Sequence, residues 1–120
     1  MRFEDLNVWK RAARLSADAY RTLARLNDRG FKDQVTRSAL SIASNIAEGY
    51  ERDSDKERVK FLSYAKGSCA ELRTQVYIGM EAGYIGSEPG KHWIRETREI
   101  SRMLYGLMRS IRERPPNQPP

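Results

Sequence analysis

The chain has 120 residues, enough for one domain around a single modest core. Hydrophobic residues make up 39% and charged residues 32%, a helix-favouring mix in which no apolar run is long enough to span a bilayer. Lys and Arg total 22 against 16 Asp and Glu, for a formal net charge of +6 and a pI near 9.7, which tilts the chain towards polyanionic partners.

A first helix is expected over about residues 6–26. Leu6, Trp9, Ala13, Ser16, Tyr20 and Leu23 follow the 3-4 spacing of a bundle seam, and Val8, Ala12, Leu15, Ala19 and Leu26 form a second row beside it. Two rows suit a helix touching two neighbours; the sharper alternative is that part of the second row packs against another subunit. Lys10, Arg14, Arg21 and Arg25 form a basic stripe within about 60° of arc, interrupted by Asp18. Such a stripe is a candidate nucleic-acid contact, with an ordinary solvated face as the plain alternative. Asn27-Asp28-Arg29-Gly30 reads as a turn.

The second helix, about 32–48, is the most unusual stretch. Val35, Ala39, Ile42, Ala43 and Ile46 share one side, and Arg37, Ser41, Ser44, Asn45 and Glu48 share another. Short hydrogen-bonding residues disfavour helix interiors and admit a close neighbour, so this second face is a candidate subunit or partner interface. Gly49 stands where a left-handed residue stops a helix. Arg37 and Glu48 lie about 16 Å apart along the axis, so each needs a partner on another helix or chain. Ser54 to Glu57 fits a capping box opening a third helix, about 55–83. Its core row is Leu62, Ala65, Cys69, Leu72, Val76 and Gly79, and its middle is thin.

Gly86 to Gly90 reads as a turn before a fourth helix, about 91–112, with Trp93, Thr97, Ile100, Leu104, Leu107 and Ile111 inward. Arg95, Arg98, Arg102 and Arg109 form a second basic stripe, with Glu96 and Glu99 placed to pair along the helix. Trp9 and Trp93 lie on core rows of the first and last helices and could meet. Residues 115–120 read as a Pro-rich, extended and mobile tail. Four amphipathic helices without a strand signal give an all-α, antiparallel up-down four-helix bundle as a single domain over residues 1–114.

Enzymatic material is poor. His92 is the one histidine, Cys69 sits on a core row, and no Glu-x-x-His pair of a bundle di-metal site occurs, so neither metal nor cofactor is expected. Ser63-x-x-Lys66 lacks the scaffold and companion motifs of a serine acyl-enzyme. No exposed aromatic platform stands out. The single cysteine and the acidic residues near the N-terminus fit a cytoplasmic protein without a signal peptide or membrane span.

The run Gln34-Val35-x-Arg37-Ser38-Ala39-x-Ser41-Ile42-x-Ser44-Asn45-Ile46-Ala47-Glu48-Gly49 closely resembles the signature of small bacterial four-helix-bundle proteins encoded in intervening sequences of 23S ribosomal RNA genes. Phe3-Glu4-Asp5-Leu6-x-Val8-Trp9 and Phe61-Leu62-x-x-Ala65-x-Gly67-Ser68-x-x-Glu71-Leu72 extend the resemblance over nearly the whole chain. It is specific for family and uninformative for activity. It implies an up-down bundle assembling into a homopentamer, and a distant similarity to the accessory protein of diversity-generating retroelements, which contacts protein and RNA. Residues and resemblance together give the expectation of a non-enzymatic homo-oligomer that binds nucleic acid, RNA ahead of DNA, through Arg-rich faces. The alternative is a protein scaffold without nucleic-acid binding.

Overall fold

Four amphipathic stretches become four helices in the computed structural model, which describes residues 1–115. A 3-10 turn (Phe3–Asp5) leads into α1 (Asn7–Thr22), followed by α2 (Arg29–Tyr50), α3 (Asp55–Glu81) and α4 (Ser87–Glu113), with no strand among the described residues. Consecutive helices pack against each other and α1 closes the ring against α4, while the backbones of the diagonal pairs stay apart. The result is an antiparallel up-down bundle, 51 × 20 × 18 Å. No described helix is long and apolar enough to cross a membrane.

The caps explain where the helices begin and end. Asp28 accepts the Phe31 N–H at 3.0 Å, so α2 starts at Arg29 and takes Gly30 into its first turn instead of leaving it in a loop. α1 is correspondingly shorter than expected: it stops at Thr22, and a turn from Leu23 to Leu26 carries the chain to Asp28. Ser54 accepts the Glu57 N–H at 3.1 Å, as its spacing predicts. α3 ends in a Schellman motif: Tyr84 N–H reaches the Gly79 carbonyl, Gly83 N–H reaches Met80, and Gly83 takes φ 79°. α4 begins at Ser87, earlier than expected, because a proline in the first turn lacks only an N–H that the helix cannot use.

Gly49 corrects the sequence reading. It is buried inside α2, not a left-handed stop, and the helix continues to Tyr50. A Cβ at Gly49 would lie 3.0 Å from the Phe61 Cβ and 3.2 Å from the Arg58 carbonyl, so the residue is small because α3 passes close by.

The inward rows of α2 and α3 are buried as their spacing predicts. In α1 the two rows exchange roles. Val8, Ala12, Leu15 and Ala19 form the deep core with Leu23, whereas Leu6, Trp9 and Ala13 are half-buried and Tyr20 is 47% exposed. Along α4, Met108 is buried and Leu107 sits at the core's edge. Trp93, Ile42, Ile46, Leu72, Ile100 and Leu104 are fully enclosed, each contributing about 1.5–3 kcal/mol by leaving water. Trp9 and Trp93 do not meet. Trp9 packs edge-to-face on Phe3, and Trp93 donates to Asp18, nine residues further along α1 and about 13 Å away at 1.5 Å per residue. Of the expected tail only Pro115 falls within the described residues.

Candidate nucleic-acid interface

Seven-residue and four-residue steps keep side chains on one helical face, and two such faces meet across the α3/α4 groove. Lys66, Arg73 and Tyr77 come from α3; Arg98, Ser101, Arg102 and Tyr105 come from α4. Lys66, Arg73, Arg98, Ser101, Arg102 and Tyr105 line the groove itself. Arg98 Nη2 donates to the Tyr77 hydroxyl at 3.1 Å, and Arg73 Nη1 donates to Thr97 Oγ1 at 3.5 Å. The Lys66 ammonium stands 5.8 Å from the centre of the Tyr105 ring. Arg102 pairs with Glu99 at 3.0 Å, while no ion pair holds Lys66, Arg73 or Arg98 among the described residues. Four cations therefore converge on one groove with one carboxylate in partial compensation. Tyr77 and Tyr105 are 49% and 54% exposed, which corrects the expectation that no exposed aromatic platform exists.

The two predicted stripes fare differently. On α4, Arg98 and Arg102 enter the groove, Arg95 is exposed to solvent, and Arg109 is tied to Glu113 at 3.0 Å one turn on. On α1, Lys10, Arg14 and Arg21 are exposed on the helix, but Arg25 lies beyond its end, so the stripe is three residues long. Arg14 and Arg21 edge a second cleft between α1 and α4, together with His92. The acids of that cleft are already engaged. Arg11 grips Glu96 with two bonds of 3.1 and 2.6 Å, and Asp18 accepts the Trp93 indole N–H at 2.7 Å. The Arg11 hydrogen bonds hold the Glu96 carboxyl below the ordinary carboxylate range, against the opposing effect of burial. Asp18, seemingly a break in a basic stripe, is a structural acceptor.

The small polar face of α2 is partly used within the subunit. Ser41 donates to Ser68 Oγ at 2.7 Å, buried Ser38 donates to Glu71 at 2.7 Å, and Asn45 Nδ2 donates to the Ser41 carbonyl at 2.9 Å. Glu48 needs no partner from elsewhere: because α2 runs through Gly49, Arg52 lies one turn on and pairs with it. Arg37 is exposed and has no ion pair among the described residues. Ser44 edges an apolar groove between α1 and α2, lined by Phe3, Trp9, Ala13, Tyr20, Leu40 and Ala43, and Glu48 lies beside its Phe3 end. Leu40 is 48% exposed there. Within the ring of helices this groove is opposite the α3/α4 groove.

Cys69 is fully enclosed and burial pushes its thiol up to about 12, so it stays protonated and packs as a small apolar side chain.

The model of the 23S rRNA-intervening sequence protein family matches residues 4–106, the bundle through most of α4. The chain belongs to this family. Among solved structures, a protein of unknown function from the S23 ribosomal protein family of Bacteroides thetaiotaomicron superposes with a TM-score of 0.79 at 20% identity, covering 84% of this chain and 97% of that one. At that identity the likeness shows the shared four-helix fold. No curated protein matches the chain. Family membership accounts for the quoted signature, much of which is packing: Ser38, Ala39, Ser41, Ile42, Ile46 and Gly49 all face the core or α3. The residues that sequence reasoning passed over are Lys66, Arg73, Tyr77 and Tyr105. Their seven- and four-residue spacing was visible, but not that the two faces adjoin.

Proposed function

We propose that this family member is a non-enzymatic subunit of a homo-oligomer that binds nucleic acid, RNA ahead of DNA, through its basic faces. The observation that carries the reading is the convergence of Lys66, Arg73, Arg98 and Arg102 on one groove with a single paired carboxylate. Arg guanidinium groups match phosphate geometry and a groove aligns them along a backbone. The resemblance to a retroelement accessory protein that contacts RNA agrees with it. The non-enzymatic side rests on the protonated, enclosed Cys69 and on a lone histidine beside acids that are already bonded. The reducing cytoplasm is the compartment that suits a single free thiol.

Fluorescence anisotropy of labelled RNA and DNA, titrated at several salt concentrations, tests the reading. Four phosphate contacts give a log–log salt slope of about −3 on a single strand, or roughly 50-fold weaker binding at 200 mM than at 50 mM. A flat titration at every salt refutes it.

The exposed apolar groove between α1 and α2 favours a complementary role, contact between copies of the chain, with five as the number the family resemblance implies. Leu40→Glu puts a charge in that groove and should reduce the mass by light scattering to the 13.9 kDa subunit while helicity is kept. An unchanged mass sinks this placement. An intact oligomer without RNA binding turns the reading to a protein scaffold.

A further inference from the structure

We infer that the α3/α4 groove takes a single-stranded stretch of nucleic acid, whose unpaired bases stack on Tyr77 and Tyr105 while its phosphates run between them; this rests on the nucleic-acid reading above. Tyr105 stands opposite Lys66, and Tyr77 lies eleven residues beyond Lys66 on α3, about 16 Å along the axis. Arg73, Arg98 and Arg102 fall between these two levels. The groove thus has an aromatic ring near each end, with Arg73, Arg98 and Arg102 between them.

That order of groups discriminates between forms of nucleic acid. Neighbouring packed helices have axes about 8–10 Å apart, so the depression between them is narrow and admits one strand more readily than a duplex. A duplex keeps its bases paired inward and offers the groove only phosphates, leaving both tyrosines without a role. A single strand uses both kinds of group, since every base has a face to stack and sequence is not read. Each ring is about half-exposed, and the Tyr77 hydroxyl is anchored by Arg98. Both rings flank the same basic groove with a face open to solvent, where an unpaired base can stack.

The test uses the full chain and a fluorescein-labelled 12-nucleotide RNA without self-complementarity, as a single strand and as a duplex with its complement; the DNA strand of the same sequence is a third arm. The single strand should bind at least tenfold more tightly than the duplex. Tyr77→Ala and Tyr105→Ala should each weaken it by about 5- to 150-fold, the range for loss of one stacked base. Tyr105→Phe should retain binding. Neither alanine variant should change the salt slope or the duplex affinity, whereas Arg98→Gln with Arg102→Gln should flatten the slope for both forms. Circular dichroism and solution mass confirm that each variant remains folded and assembled. Equal affinity for strand and duplex, with the alanine variants unaffected, overturns the stacking inference while leaving phosphate binding intact. No binding of any form at low salt overturns both.

Discussion

Replacing Asp18 with alanine removes the acceptor of a bond made by a tryptophan that water cannot reach. Trp93 is 0% exposed and its indole N–H lies 2.7 Å from Asp18 Oδ2. A buried donor stripped of its partner costs about 1–3 kcal/mol. Asp18 itself is half-buried, so water can partly replace it and the expected loss falls to about 1–2 kcal/mol. For a domain of this size that corresponds to a Tm lower by roughly 4–8 °C, measured by circular dichroism at fixed subunit concentration. A competing account makes Asp18 a surface acid beside Arg14 and Arg21, whose helical pairing gives only about 0.2–0.5 kcal/mol for each neighbour. A double-mutant cycle separates the two. If the indole bond dominates, Asp18→Ala in a Trp93→Phe background should cost only a few tenths of a kcal/mol, since phenylalanine presents no donor. The same loss in both backgrounds refutes the argument.

Gly67 and Gly79 provide an opposed pair of tests. A Cβ on Gly67 has nothing within 4 Å, so Gly67→Ala should stabilise the protein by about 0.5–1 kcal/mol in urea unfolding. A loss of stability there means that the outward face of α3 is covered in solution. A Cβ on Gly79 would fall 2.5 Å from Ile85 Cδ1 and 2.8 Å from Phe31 Cζ, so overpacking of about 1–3 kcal/mol should cancel or exceed the helical gain. The Arg11–Glu96 pair predicts a pH dependence. Its folded carboxyl is held below the ordinary 4.5, so its stabilisation is complete above that value and is lost as pH falls through the lower, folded value. Unfolding free energy of wild type should therefore decline towards that of Glu96→Gln as pH is lowered through and below 4.5, by less than about 1 kcal/mol because both side chains keep some exposure to water. Parallel curves through that interval would show that the pair contributes nothing.

The all-helical fold was legible because each helix carries its inward residues at regular spacing. The α3 row from Leu62 to Gly79 is buried throughout. What periodicity leaves open is which of two adjacent rows faces inward. On α1 the row from Leu6 to Leu23 reads as the seam, and the positions of α2 and α4 decided instead for Val8, Ala12, Leu15 and Ala19. Gly49 misled for a related reason. A glycine after a polar helix face signals a stop, yet here it accommodates Phe61, and the true helix end supplies Arg52 to Glu48. The basic stripe of α4 could be read from spacing alone. That Lys66 and Arg73 join Arg98 and Arg102 could not, since it depends on how two helices separated by a turn align. Tyr77 and Tyr105 lie off the inward rows of α3 and α4, and the sequence does not show that they flank the same groove.

The Ser38–Glu71 and Ser41–Ser68 bonds bear on that alignment. They step three residues forward on α2 and three residues back on α3. Sliding one helix past the other by a turn, about 5.4 Å, would set Phe61 against a residue larger than Gly49 and spoil the close apolar fit. The polar pairs add to that cost: a slide separates both, and the buried Ser38 hydroxyl left without its partner costs about 1–3 kcal/mol. The two bonds and the Gly49–Phe61 contact together hold one register. Through it the buried seam of α2 and α3 sets the height at which Lys66, Arg73 and Tyr77 face α4, so the spacing of the charged groove is decided on the far side of the helix that bears half of it.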